Sequence, residues 1–351
     1  MTRRPPHRST ARLLPLLLLA VGCGGNPTPE PGPAGPAIRV PSDFPPLPAP
    51  EDNLPTPERV ALGRRLFYDE RLSRTEEVSC ASCHQQARAF ADPDPVSTGV
   101  LERTGTRNAS ALVNLAWNTS FFWHGGAPSL ELQAIEPIKN SLEMDMTLAE
   151  VAERLAADGE LASAFETAYA APPSEYTIPR ALASFVRSLV SGDSAFDRYR
   201  RGDRRAMSAA AERGQALFEG ESAECFHCHV GFNFTNNGFR NNGIEPDDPD
   251  VGRAELTLKP SDEGKFKVPT LRNVAVSAPY MHGGSLATLE EVIDQYARGG
   301  RGHANTDPTI LPLELTAEEK SDLLEFLRAL TDTEFLENPD HADPELNEVE
   351  R

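Results

Sequence analysis

Two short strings carry chemistry before anything else in the chain does: Cys80-Ala81-Ser82-Cys83-His84 and Cys225-Phe226-His227-Cys228-His229. In Cys-x-x-Cys-His each part has a use: two thiols can form thioethers with the vinyl groups of a haem, and the adjacent imidazole then lies beneath the iron as axial ligand. His84 and His229 take that place, and His227 is a variable position. Two other chemistries use paired cysteines: a zinc site built from the four thiols, and redox Cys-x-x-Cys pairs in a thioredoxin-like fold. Zinc does not require a histidine directly after each pair, and no alternating β-α pattern is present, so haem attachment is the preferred reading. Apart from Cys23 no other cysteine exists, which leaves no disulfide framework.

The strings belong to a repeat. Gly63-Arg64-Arg65-Leu66-Phe67 leads to the first motif, then to Arg107-Asn108, His124-Gly125-Gly126 and Ser129-Leu130-Glu131. Gly214-Gln215-Ala216-Leu217-Phe218 leads to the second, then to Arg272-Asn273, His282-Gly283-Gly284 and Thr288-Leu289-Glu290. The same order twice marks a duplication. Aligning the copies on Ser129-Leu130-Glu131 and Thr288-Leu289-Glu290 sets Tyr296 opposite Pro137. A phenolate can ligate iron and a proline cannot, so the duplication suggests one six-coordinate haem and one with an open axial face. Met281, in Pro279-Tyr280-Met281-His282, is a rival ligand for the second iron. His124 and His282 read as shaping the haem surroundings, and His303 and His341 as surface residues.

The elements that position these groups read as helices. Thr56 caps and Pro57 starts an apolar stripe through Val60 and Leu66-Phe67, and Ser208 to Glu219 repeats the pattern. Further helices are expected over Thr147–Tyr169, Pro179–Leu189, Thr288–Arg298 and Thr316–Leu330. No convincing strand alternation is present. The expected fold is mostly α, with two cytochrome-c-like (class I type) domains, each with one covalent c-type haem. Long loops such as Asn233 to Lys265 are tolerable because a large prosthetic group supplies core they lack.

At 351 residues the chain suits two domains. Arg3, Arg4, Arg8 and Arg12 precede an apolar run from Leu13 to Val21 and then Gly22-Cys23, which reads as a secretory signal too short to span a bilayer. Cleavage before Cys23 resembles a bacterial lipoprotein site; ordinary signal cleavage nearby is the alternative. Twelve prolines among the 32 residues Asn26 to Pro57 suggest an extended spacer. The expected organisation is therefore a lipoprotein-type signal at 1–22, a proline-rich linker at 23–57, an N-terminal cytochrome domain at 58–205, a C-terminal one at 206–335 and an acidic tail at 336–351, in the periplasm. A net charge of -19 argues against nucleic acid and leaves room for a basic protein partner such as a small cytochrome, or serves solubility alone.

From Pro57 to about Phe335 the sequence resembles the bacterial di-haem cytochrome c peroxidase superfamily, closer to the MauG-like branch in its axial-ligand pattern. The strings that carry the resemblance are Phe122-Trp123-His124-Gly125-Gly126-Ala127-Pro128-Ser129-Leu130-Glu131, with His124 where aspartate is common, and Val268-Pro269-Thr270-Leu271-Arg272-Asn273-Val274. The resemblance implies a peroxidatic first haem with Gln133 and Glu143 in its distal pocket, Trp123 between the haems, and calcium at the domain interface held by Asn108, Ser277 and Pro279. Val100 stands where many such peroxidases carry a blocking histidine, and Tyr296 where they carry methionine. The implied function is reduction of hydrogen peroxide at the N-terminal haem, with electrons passed through the C-terminal haem from a small c-type cytochrome or another periplasmic donor. The alternatives are MauG-like oxidation of a protein or other substrate through a high-valent di-haem state, and a non-catalytic di-haem electron carrier.

Overall fold

The computed structural model describes residues 1–2, 38–246 and 249–345. The signal, Cys23 and the start of the proline-rich stretch lie outside the described residues, as does the end of the tail. The architecture lies in the unit Ala34–Arg351. Its described helices are α1 (Pro57–Tyr68), α2 (Cys80–Cys83), α3 (Leu130–Gln133), α4 (Ile135–Lys139), α5 (Leu148–Ala156), α6 (Gly159–Tyr169), α7 (Thr177–Ser188), α8 (Ala195–Arg200), α9 (Ala209–Phe218), α10 (Ala254–Thr257), α11 (Leu289–Ala297), α12 (Ala317–Ala329) and α13 (Thr333–Glu337). Two strands of two residues each, β1 (Phe239–Arg240) and β2 (Phe266–Lys267), pair antiparallel.

The helix starts follow local chemistry. The Thr56 hydroxyl accepts from the Arg59 amide with Pro57 in the first turn, and Ser208, Thr288 and Thr316 cap α9, α11 and α12 in the same way. The expected single helix over Thr147–Tyr169 is two, because the Asp158 carboxylate accepts from the Glu160 and Leu161 amides and starts α6 afresh. The duplication is visible in packing. An added Cβ on Gly63 would lie 1.9 Å from the Ala181 carbonyl oxygen, and one on Gly214 1.9 Å from that of Asp322, so α1 meets α7 and α9 meets α12 with backbones in contact. Asn273, however, matches Asn114 rather than Asn108. Both take positive φ, and their amides donate to the Leu330 and Leu189 carbonyls.

Two hydrophobic cores result, one including Leu66, Phe67, Phe90, Val113 and Phe185, the other Phe218, Phe234, Leu323 and Phe326. Three expectations need correction. Within the proline-rich stretch expected as a linker, residues 38–57 are docked: Phe44 is buried against Phe232, with centroids 4.6 Å apart, and the Asn53 amide donates to Glu131 at 2.8 Å. One aromatic and one amide anchor a segment whose composition alone offers no core. Phe196 lies before residue 206 yet belongs to the second core, and Phe335 belongs to the first. His341 is no surface residue. It is buried against Phe335 at 5.2 Å, its own carbonyl accepts from the Tyr68 hydroxyl, and the Ala342 carbonyl accepts from Arg64, so residues 336–342 of the expected tail lie on the first core.

Burial holds the His341 imidazole down to about 4 from an ordinary 6.5. The folded ring therefore binds a proton less readily than the unfolded one. Its neutral form carries no penalty above about 6.5, and stability falls as pH drops from there towards 4, by on the order of 2–3 kcal/mol in total. Urea unfolding between pH 7 and 4 should show a steeper loss for the wild type than for His341→Gln; parallel curves would show that the ring titrates normally.

Candidate active site

In the first half, α2 starts at Ser79, whose amide donates to the Ser82 hydroxyl at 3.0 Å, and sets Cys80 and Cys83 one turn apart. The helix ends at His84. Its Nδ1 pairs with the Phe90 carbonyl at 2.7 Å, which fixes the tautomer and leaves Nε2 as the nitrogen available to a metal. Cys80, Cys83 and His84 line a cavity otherwise walled mostly by apolar side chains such as Phe67, Ile138 and Leu182. Burial pushes the Cys80 thiol up to about 12 and Cys83 to about 11, and keeps His84 neutral. Among the described residues no three His, Cys, Asp or Glu side chains converge on a common metal position, so the two cysteine pairs do not form one site.

Gln133 and Glu143 line the same cavity, as does Pro137, the counterpart of Tyr296. Gln133 ends α3, which Ser129 caps by accepting from the Leu132 amide. Glu143 sits in the loop after α4, where its amide donates to the Asn140 carbonyl at 3.0 Å and its Oε1 accepts from Asn140 Nδ2 at 2.6 Å. Burial raises its carboxyl above the usual range, and the nearby Glu136 adds to the rise against the Asn140 bond. Asn140 went unnoticed in the sequence; its only signal is an amide three residues before the acid. Val100 is buried, and its amide donates to the Glu143 carbonyl at 2.8 Å. The neighbouring Gly99 passes so close that a Cβ would lie 2.2 Å from the Leu142 carbonyl oxygen. The loop is thus fastened to the backbone of the acid.

The second half repeats the proximal arrangement: His229 Nδ1 pairs with the Phe234 carbonyl at 2.9 Å, and burial lifts Cys225 to about 12. On α11, Tyr296 is half-buried with its hydroxyl 3.4 Å from Asn242 Nδ2, and the same amide lies 3.2 Å from the Met281 sulfur. Both candidate ligands therefore meet at one place. Burial raises the Tyr296 phenol while the Asn242 hydrogen bond opposes it, and the Cys225 and Cys228 sulfurs are near enough to add to the rise. The donor set fits a haem in each half: two half-buried free thiols and an imidazole with Nδ1 engaged.

Trp123 spans the halves. Its indole Nε1 donates to the Asn108 carbonyl at 2.8 Å, and its own carbonyl accepts from the Lys267 amide at 2.7 Å. The Asn108 amide donates to the His282 carbonyl at 2.7 Å, which brings it beside the segment holding Ser277 and Pro279. His124 Nδ1 lies 2.8 Å from Arg107, whose guanidinium also grips Asp250 across the halves at 2.6 and 2.7 Å. His282 stacks on Phe266 at 3.7 Å. Neither histidine lines the cavity around His84.

The sequence model of the family described as di-haem cytochrome c peroxidase matches residues 57–205. The methylamine utilization protein MauG of Methylorubrum extorquens is 40% identical over 289 residues, 81% of this chain and 81% of that protein. Cytochrome-c peroxidase IdrP1 of Denitromonas iodatirespirans is 36% identical over 339 residues, 86% of this chain and 88% of that one. Among solved structures, a MauG-like protein associated with microbial copper homeostasis superposes with a TM-score of 0.83 at 37% identity, covering 87% of this chain and 98% of its own. Two cysteine-histidine sites built alike, one in a cavity that an acid and an amide also line and the other near a tyrosine, in a sequence shared with these relatives over more than four fifths of its length, place the chain in the di-haem cytochrome c peroxidase family, as an oxidoreductase of that type.

Proposed function

We propose that the protein reduces hydrogen peroxide to water in the cavity before His84, with two electrons arriving through the second half from a small c-type cytochrome or similar donor. The carrying observation is the convergence of Cys80, Cys83, His84, Gln133 and Glu143 on one cavity. In this reading residues about 58–205 and 206–335 each hold one haem, through Cys80, Cys83 and His84 and through Cys225, Cys228 and His229. Bound haem supplies the iron at which peroxide gains electrons. The chain supplies the protons and the geometry. Glu143, held through Oε1 by Asn140, takes a proton from one peroxide oxygen at Oε2 and returns it to the departing oxygen. The Gln133 amide orients the peroxide by hydrogen bonding, and the apolar wall keeps bulk water away. Trp123, bonded to both halves, is the electron relay.

Val100 is buried and carries no atom that could ligate iron, so in this reading that position does not cap the first haem, and the oxidised protein meets peroxide without prior reduction. Stopped-flow mixing of the oxidised protein with peroxide should give rapid consumption before any donor is added; reaction only after pre-reduction would refute this. Tyr296 would hold the iron of a haem bound in the second half, and Tyr296→Phe should convert that haem's ferric absorption and EPR spectra while leaving the first haem's unchanged. An unaltered spectrum would shift the assignment to Met281, which shares the Asn242 amide.

The tyrosine also favours a second reading, oxidation of a protein side chain by electron transfer over distance, because an anionic oxygen ligand stabilises higher oxidation states. Rapid turnover with reduced cytochrome c separates peroxidase from this alternative. Asn108, Ser277 and Pro279 offer oxygen donors to a calcium ion between the halves, and the segment ending at Cys23 supports export to the periplasm with a lipid anchor.

A further inference from the structure

In both copies the carbonyl that pairs with the histidine Nδ1 belongs to a phenylalanine at positive φ, Phe90 at 58° and Phe234 at 48°. A bulky residue stays in that region only where its surroundings force it. A cage of rings surrounds each of them. Around Phe90 stand Phe67 at 5.7 Å and Phe185 at 6.4 Å from the first half's own helices, with Phe335 at 5.9 Å and His341 at 6.4 Å. Around Phe234 stand Phe218 and Phe326, each at 6.1 Å, with Phe196 at 5.1 Å.

The last ring of each cage comes from the wrong half. Phe196 lies on α8, which follows the closing helix of the first half but packs into the second core; Phe335 lies on α13, which follows the closing helix of the second but packs into the first. The two exits grip each other where they cross. Asp332 Oδ2 accepts from the Ser191 hydroxyl and the Gly192 and Asp193 amides, all at 2.9 Å. Asn114 Oδ1 and Asn273 Oδ1 accept from the Ser191 and Asp332 amides at 2.8 and 2.7 Å.

We propose that Phe335 and Phe196 are positioning residues exchanged between the halves, each holding the carbonyl that orients and polarises the other half's proximal histidine. This rests on the reading that His84 and His229 ligate haem iron. With the ring gone, Phe90 or Phe234 relaxes out of its left-handed conformation and its carbonyl turns away. A proximal imidazole with a weaker Nδ1 bond is a poorer donor, so the ferric state loses stabilisation and the reduction potential rises.

Redox titration of the holoprotein, followed through the high-spin ferric EPR signal of the first haem and the low-spin signal of the second, tests the exchange. Phe335→Leu should raise the potential of the high-spin haem alone and lower its iron–histidine stretching frequency in the ferrous resonance Raman spectrum. Phe196→Leu should raise that of the low-spin haem alone. Plain destabilisation would not produce this crossed pattern. Effects on the haem of the variant's own half, equal effects on both, or none would overturn the proposal. If Phe335→Leu fails to hold haem, His341→Leu opens the same wall of the Phe90 cage and must move the same signal. Wild-type protein without haem bands would instead sink the proposed function, and this inference with it.

Discussion

Glu143→Gln should slow the step in which peroxide is consumed by a factor of about a hundred or more, within the ~10²–10⁴ typical of a positioned acid–base group. The substitution keeps the size of the side chain and can keep a hydrogen bond to Asn140, so cavity shape and haem spectra should survive. What disappears is the one group at that wall that can both accept a proton and give it back. Gln133, which lines the same cavity, is an amide and can do neither at neutral pH. Burial raises the Glu143 carboxyl, which brings its affinity closer to that of a group poised to exchange protons, and Asn140 limits the rise so that the ionised form still serves as base. Because only the ionised form accepts the first proton, the wild-type rate should fall as pH drops through the raised value, whereas the variant's slow rate should lose that dependence. Single-turnover stopped-flow at several pH values measures both. A variant within threefold of wild type at neutral pH would make Glu143 a bystander and leave the proton route unexplained.

Much of this site was legible in the chain because its signals are local. A thiol pair with a histidine directly behind it is one turn of helix and the residue after it, and a capped apolar stripe defines α1, α9, α11 and α12 without knowledge of their partners. The pairing of Pro137 with Tyr296 likewise needed only the repeat. Gln133 and Glu143 were different: nothing periodic marks them, and only the likeness to a family picked them out before the cavity brought them together. What escaped was long-range. Phe44, Phe335 and His341 lie in segments rich in proline or acid, where one buried ring leaves no hydrophobic pattern, and their burial depends on surfaces far away in sequence. The repeat itself misled at one point, since the Arg-Asn dipeptide matched Asn273 to Asn108 while backbone hydrogen bonding and left-handed φ match it to Asn114. The exchange of α8 and α13 could not be read at all. A duplication predicts that halves are alike, not that each lends its last helix to the other.

That exchange is pinned by an ion pair whose loss should cost more than any surface contact. The Arg272 guanidinium meets the Asp197 carboxylate with both prongs, at 2.8 and 2.9 Å, and each residue is only 2% exposed. Its Nε donates to the Phe232 carbonyl at 2.8 Å, and its plane lies 4.7 Å from the Phe44 ring, so one side chain joins α8, the second haem loop and the docked N-terminal segment. Arg272→Met keeps the apolar stem but leaves the Asp197 carboxylate buried with only the Ser194 amide and hydroxyl. Stranding a buried charge costs about 3–5 kcal/mol. The exposed pair of Arg328 with Glu325, at 2.7 Å and with side chains 52% and 39% exposed, has the better single contact and should contribute under about 1 kcal/mol, since water screens it. Denaturant unfolding of Arg272→Met and Arg328→Met, compared by midpoint at constant slope, should separate the two by several-fold. Adding Asp197→Leu to Arg272→Met should recover part of the loss by removing the stranded charge, though not all, because Asp197 also closes the capping box of α8. Equal losses from the buried and exposed arginines would mean that the crossing is held by the rings and the Asp332 turn alone.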